Sequence, residues 1–347
     1  MRIEQLTFTR FVAAFAIVIF HFGRDTLPFN FSIFQKTIHA LDIGVSYFFI
    51  LSGFVIAIAY SRQNKIQINK FYQLRIVRIF PAFLLSFVLT LLYLFYIGEP
   101  IDKWNIVTQA FLVHAWIKKY CLSINFPSWS LVVELFFYFS FPLLYNFLYQ
   151  KISLKSTSIF VGIIWVLTQL VFIYIQLSSN YDKDFKTWSL YYPLLHLNQF
   201  VSGNLLAYFL LQIQPPKRNT FLFYSFVVLV LLMLINSPIP NFYYHNGFLV
   251  PLFCLFIYFM AIDNSNVTKI FQWPLLVLLG EISYGIYIYQ FPIYRICNFT
   301  VLKILKLDLG SWLFYINFMV LLLVSYLSFT FIEKPLVDKI KARHKRS

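Results

Sequence analysis

The chain has 347 residues, of which 60% are hydrophobic and only 12% charged, with a formal net charge of +15. A soluble domain has no core able to hide that much apolar surface, and about a quarter of its residues are normally charged, so a soluble fold is excluded. The basic excess suits either nucleic acid or the cytoplasmic face of a membrane, and its placement along the chain decides between them.

An apolar helix needs about 20 residues to cross a bilayer. Taken in order, the sequence predicts ten spans: 6–23, 41–60, 79–97, 127–149, 158–177, 193–213, 220–236, 246–263, 273–297 and 311–332. The stretch 104–117 is short and amphipathic, and reads as an interfacial or re-entrant helix. The expected fold class is all-α, a polytopic membrane helical bundle of about ten transmembrane helices. A membrane domain over 1–337 would be followed by a basic cytoplasmic tail over 338–347. The first apolar run ends in His21-Phe22-Gly23-Arg24-Asp25, without the small residues suited to signal cleavage, so no cleavable leader is expected.

Basic residues then set the orientation. The loop 61–78 holds five Lys or Arg and the segment 333–347 holds six. With ten alternating spans these fall on the same side as Lys151, Lys155, Lys217, Arg218, Lys269 and Arg2. The positive-inside rule therefore places both termini in the cytoplasm. The charge is topological, and no nucleic-acid partner is expected. Cys121, Cys254 and Cys297 are scattered, which suggests neither a disulfide framework nor a metal pair. There is no Gly-rich loop ending in Gly-Lys-Ser/Thr, no HExxH helix and no Gly-x-Ser-x-Gly elbow.

Some polar residues sit where an apolar span should not have them. Arg10 and His21 bracket the first span, and eleven residues advance a helix by about three turns, which puts both on nearly one face. They either line a shared cavity, or Arg10 snorkels to the headgroups while His21 caps the other end. Ser130 and Glu134 are one turn apart, so they share a face, and Glu134 is an acid in a span, a structural ion pair or a functional carboxylate. Ser283, Tyr287 and Gln290 form a stripe at i, i+4 and i+7, for interhelical hydrogen bonding or for function. Ser52-Gly53 reads as close helix packing. Arg75 and Arg78, at i and i+3 where the third span begins, suit phosphate groups, because guanidinium forks bind bidentately where lysine does not. Plain cytoplasmic anchoring is the other account of that pair.

Together these motifs resemble the acyltransferase-3 family of integral membrane acyltransferases. The resemblance runs from about residue 1 to 337, in the family's order. Arg10 and His21 match an Arg and a His separated by ten residues, and 44–54 (GVSYFFILSGF) a Gly-Val…Ser-Gly-Phe segment. Arg75, Arg78 and Pro81 match an Arg-x-x-Arg before a proline, and Trp129 to Glu134 a Trp-Ser-Leu-x-x-Glu. The late Ser-Tyr-x-x-Tyr span and the closing Glu333-x-Pro335 complete the set. One departure stands out: many relatives have His where this chain has Gln290. Gln donates and accepts hydrogen bonds but takes no proton near neutrality, so a positioning role can survive there and an acid–base role cannot. The extra extracytoplasmic domain that some relatives carry after the last span is not expected.

The resemblance implies transfer of an acyl group, usually acetyl, from acyl-coenzyme A to a hydroxyl of a surface polysaccharide, lipid-linked glycan or other glycosylated acceptor. Acetyl-CoA would be a substrate, with no permanently bound cofactor and no metal. On this account His21, unperturbed pKa about 6.5, is the general base. Glu134 orients it or stabilises the imidazolium, and Arg10 contacts the donor. Arg75 and Arg78 hold the donor phosphates, while Trp129, Ser130, Ser283, Tyr287 and Gln290 line the acceptor site. The expected location is the bacterial plasma membrane, with the bilayer, acyl-CoA and a glycan or glycolipid as partners. The rival readings are a transporter with a buried Arg/His/Glu path and an enzyme acylating a cytosolic metabolite.

Overall fold

The computed structural model describes residues 3–236, 244 and 246–346, with side chains as far as Arg343. Arg2 and Ser347 lie outside them. Among the described residues every regular element is helical, apart from one isolated bridge between Arg218 and Asp263. That follows from the composition: in hydrocarbon each backbone N–H and C=O must be satisfied within the chain, and a helix does this segment by segment.

In chain order the main helices are α1 (Gln5–Val18), α2 (Gly44–Tyr60), α3 (Ile68–Tyr96), α4 (Lys103–Ala110), α5 (Trp129–Leu143), α6 (Leu154–Leu177) and α7 (Leu197–Ile213). They are followed by α8 (Phe221–Asn236), α9 (Val250–Ile262), α10 (Pro274–Glu281), α11 (Ser283–Phe299), α12 (Trp312–Ser328) and α13 (Lys334–Arg346). Among the described residues four π-turns interrupt this regularity, at Ile19–Gly23, Leu144–Tyr149, Thr300–Ile304 and Phe329–Glu333.

Among the described residues seven helical stretches are long and apolar enough to cross a membrane: Gln5–Gly23, Ser32–Tyr60, Ile68–Tyr96, Phe126–Tyr149, Leu154–Leu177, Pro193–Ile213 and Trp312–Arg343. The protein is therefore an integral membrane protein. Three of the ten expected spans need correction. The segment 273–297 is not one helix but α10 and α11, broken at Ile282, which pass the same test only as a pair. The expected spans 220–236 and 246–263 are helices of 16 and 13 residues, apolar but short. The count is thus seven, or eight with the broken pair. The loop expected over 61–78 is also largely helix, because α3 starts at Ile68 and runs for 29 residues. Arg75 and Arg78 stand on its second and third turns, and Pro81 lies inside it.

The chain forms two compact units. The first comprises Met1–Ala13, Ala40–Ile66 and Val133–Glu281. In it α2 and α7 cross with almost no gap: a Cβ on Gly53 would lie 2.1 Å from the Phe200 carbonyl oxygen, and one on Gly203 2.0 Å from that of Ile50. Small residues at a crossing let backbones touch, which is how helices gain van der Waals contact where lipid offers no hydrophobic drive. Asn204 then donates to the Gly53 carbonyl at 2.8 Å, and Phe137 stacks on Phe200 at 4.7 Å. Gly53 serves close packing, as the sequence suggested for the Ser52-Gly53 pair.

The second unit comprises Ala14–His39, Gln67–Val132 and Ile282–Ser347. Here α11 packs on α12, where a Cβ on Gly285 would meet Ser325 at 3.0 Å. Tyr284 on α11 donates to the Ile79 carbonyl of α3 at 2.8 Å. Pro292 shapes the unit most. Lacking an N–H, it leaves the Ile288 carbonyl of α11 without its helical donor. Ser86 on α3 supplies one hydroxyl at 2.7 Å and Asn125 one amide at 3.2 Å. A missing backbone donor has thereby tied α3, α11 and the 103–128 segment together.

Candidate active site

His21 sits at the centre of the π-turn Ile19–Gly23 that closes the first span. Such turns widen the helix locally and often mark functional positions. Its Nδ1 lies 2.8 Å from Oε1 of Gln290 on α11. Gln290 is wholly buried, and its Nε2 donates to the Tyr287 carbonyl at 2.7 Å. A carbonyl only accepts, so the amide nitrogen must face Tyr287 and the amide oxygen must face His21. That oxygen also only accepts, so His21 carries its proton on Nδ1. The neutral ring then presents a bare Nε2 lone pair, the form a general base requires.

The wall beside this imidazole comes from the turn preceding α5. Phe126 stands edge-on to His21, ring centroids 4.7 Å apart and planes at 90°, and packs on Phe291 at 5.2 Å. The next carbonyl, that of Pro127, accepts from Tyr287 OH and from Ser130 Oγ, each at 3.0 Å. Of the stripe Ser283, Tyr287 and Gln290, Gln290 meets His21 and Tyr287 meets the Pro127 turn, where Ser130 joins it. Ser283, the first residue of α11, and Trp129 are both buried in the same unit.

Beneath the turn lies a polar cluster that the sequence reading missed. Gln109 Nε2 donates to the Asn125 carbonyl at 3.1 Å and to Ser128 Oγ at 2.6 Å. Ser128 bonds the Asn125 carbonyl at 2.6 Å and lies 3.2 Å from His114 Nε2. Asn125 also donates to Ser86 Oγ at 2.8 Å. Burial pushes His114, outside the apolar spans, down to about 4, with the Thr108 backbone opposing, so it is neutral at ordinary pH. The signal for this cluster was Pro292, whose missing donor demanded polar partners near residue 288; hydropathy alone does not show it.

Arg75 and Arg78 share α3 in this unit. Arg75 is half-buried with its guanidinium 5.2 Å from the centre of the Phe71 ring, and Arg78 is exposed. The other two charged candidates belong to the first unit. Arg10 is half-buried on α1, next to Thr9, which hydrogen-bonds Tyr47. Glu134 on α5 accepts from Tyr138 and, at 3.5 Å, from Ser52. Among the described residues no group of three or more His, Cys, Asp or Glu is placed to hold a metal ion.

Comparison with known proteins bears on this site. A family model described as an acyltransferase domain matches residues 3–331. OatA of Staphylococcus aureus strain NCTC 8325 / PS 47, named an O-acetyltransferase, is 25% identical over 95% of this chain and 56% of its own length. SAR0937 of S. aureus strain MRSA252, provisionally named an O-acetyltransferase, is 29% identical over 97% of this chain and 58% of its own. MdmB of Streptomyces mycarofaciens, named an acyltransferase, is 32% identical over 45% of this chain and 42% of its own. The chain thus spans less than three fifths of the length of these S. aureus relatives. No solved structure matches it. Because the family match takes in the His21 turn, the Pro127 turn and both units almost to their ends, this chain belongs to the acyltransferase-3 family of integral membrane proteins.

Proposed function

We propose that this chain is a membrane O-acyltransferase that moves an acyl group, chiefly acetyl, from acyl-coenzyme A to a hydroxyl of a glycan, glycolipid or other glycosylated acceptor. The observation that carries the proposal is the Gln290 amide, which fixes the His21 proton on Nδ1 and leaves Nε2 as a base. As the acceptor oxygen attacks the thioester carbonyl, its proton passes to His21 Nε2. The tetrahedral adduct collapses with loss of the coenzyme A thiolate, which takes the proton from His21 and leaves as the thiol. One ester forms, one thioester breaks, and the imidazole ends neutral. Phe126 shields one side of the ring from water, and Ser130, Tyr287, Ser283 and Trp129 supply the neighbouring surface for the acceptor.

Arg75 and Arg78 are assigned to the donor's phosphates at the cytoplasmic face. One turn apart on α3, they stand on one side of the helix, a spacing that anchoring does not need and that suits bidentate binding of phosphates by two planar forks. Glu134 and Arg10 lie in the other unit and no step is routed through them.

The test is to supply labelled acetyl-CoA to membranes containing the protein and follow label into glycan, lipid and small-molecule fractions. Label is expected in an ester-linked glycan or glycolipid product, and His21→Gln, which keeps hydrogen bonding but loses basicity, is expected to abolish it while membrane insertion stays normal. Replacing both Arg75 and Arg78 with Lys is expected to raise the acetyl-CoA concentration needed about tenfold, from about 1–2 kcal/mol of weakened charge-assisted contact. Substrate movement without thioester turnover would show a transporter instead; label in a soluble metabolite would show a cytosolic acceptor.

A further inference from the structure

Just past His21 the second unit carries two cations that acyl transfer leaves unused. Arg24 is locked in place: its Nε donates to the Phe20 carbonyl at 2.6 Å, and its guanidinium lies 4.2 Å from the centre of the Phe20 ring. Phe20 is in turn edge-on to His21 at 5.1 Å. Arg295, exposed, holds its guanidinium 5.3 Å from the centre of the Phe291 ring, and Phe291 contacts the Phe126 ring that faces His21. Phe22 stacks on Tyr294 at 4.2 Å. This clamps the residue two before Arg24 to the residue just before Arg295, so the two arginines leave the chain close to one contact between the first span and α11.

An arginine that merely snorkels to headgroups keeps its rotamer freedom. Here one guanidinium edge is spent on a backbone carbonyl and the face on a ring, which leaves the Nη pair of Arg24 preorganised for two oxygens of one anion. Neither arginine takes part in an ion pair among the described residues. Asp25, beside Arg24, is exposed.

We propose that Arg24 and Arg295 bind an anionic substituent, a carboxylate or phosphate, on the acceptor, so that the hydroxyl offered to His21 belongs to a negatively charged glycan. This rests on the acyl-transfer reading for its setting, and on the aromatic-mounted pair for its substance. An acceptor held through its charge at this end is oriented before the hydroxyl reaches Nε2, and a neutral sugar of the same size is not.

Three probes separate the possibilities: phenyl β-glucuronide, phenyl β-glucoside 6-phosphate and uncharged phenyl β-glucoside. Each is titrated onto the purified protein in nanodiscs of zwitterionic lipid, then offered with acetyl-CoA. At least one charged probe is expected to bind at least tenfold more tightly than the glucoside, and which one does so tells carboxylate from phosphate. Arg24→Gln and Arg295→Gln are each expected to cut that preference at least fivefold, with Arg24→Lys intermediate because it keeps charge without the fork. Matching elution and melting profiles show that the variants are folded. Equal binding of charged and neutral probes, binding of neither charged probe, or a preference that survives both substitutions overturns the proposal. So does loss of the preference when anionic lipid is added to the nanodisc, which would assign the pair to lipid headgroups. A charge preference in binding with no acetylation of any probe leaves this inference standing and sinks the acyl-transfer reading alone. Equal acetylation of charged and neutral probes does the reverse.

Discussion

At the scale of single residues, the informative position is Gln290, where many relatives are read as having His. The structure shows what glutamine does there: one end of its amide bonds its own helix at Tyr287 and the other presents an acceptor to His21. A positioning role survives the change of residue type because Nδ1 needs only an acceptor, and a glutamine oxygen and an unprotonated histidine nitrogen both provide one. Gln290→Leu removes that acceptor and strands a buried N–H, a cost of about 1–3 kcal/mol. Acetyl transfer is expected to fall about ten- to hundredfold in kcat with little change in the KM for acetyl-CoA. Gln290→His is expected to retain most of the rate. Initial rates of the three proteins at one pH check both statements, and a Leu variant as active as the parent would show that His21 is held by other means.

Helices and turns decide how rigid that site is. The 103–128 segment is non-spanning up to Asn125, and its last residues open the Phe126–Tyr149 span, placing Phe126 against His21 and giving Pro127 to Tyr287 and Ser130. It is anchored by the unpaired Ile288 carbonyl that Pro292 creates in α11. Ser86 and Asn125 back each other up there, so replacing both with Ala strands a buried carbonyl that either single change leaves partly satisfied. The double variant is expected to lose about 1–3 kcal/mol of stability and more than the sum of the singles, read as melting midpoints in detergent. Additive losses would mean that the two donors act independently.

The same segment carries a pH dependence through His114. Its folded pKa is near 4, below the unfolded value of 6.5, so the unfolded chain binds more protons between these values. Stability therefore rises with pH across that window and is lost as pH falls from about 6.5 toward 4. Between pH 7 and pH 5 the loss from this group is about 2 kcal/mol. His114→Gln is expected to flatten that part of the melting profile while leaving the pH 8 to 9 region unchanged. A slope identical to the parent's would remove His114 as its source.

For the molecule as a whole, an even number of spans, eight with α10 and α11 counted as one, together with the basic residues predicts both ends in the cytoplasm; seven spans would put the ends on opposite sides. A reporter that is active only outside the cytoplasm, fused after Ser347, is expected to be silent, and one active only inside is expected to work. The reverse result would invert the orientation and with it the side assigned to the donor phosphates. The sequence by itself determined the all-α membrane class, the family, the candidacy of His21 and the Ser283–Tyr287–Gln290 stripe, because each is written in local composition, helical spacing or a short motif. Only the tertiary structure decided that Gln290, 269 residues away, sets the His21 tautomer, that the helix breaks at Ile282, and that the turn opening the Phe126–Tyr149 span walls the site. It also left Arg10 and Glu134 in one unit and His21 in the other. The physical reason is one of range. Hydrophobic periodicity reports which face of a helix avoids water, whereas a hydrogen bond between distant side chains exists only once packing has chosen which helices meet.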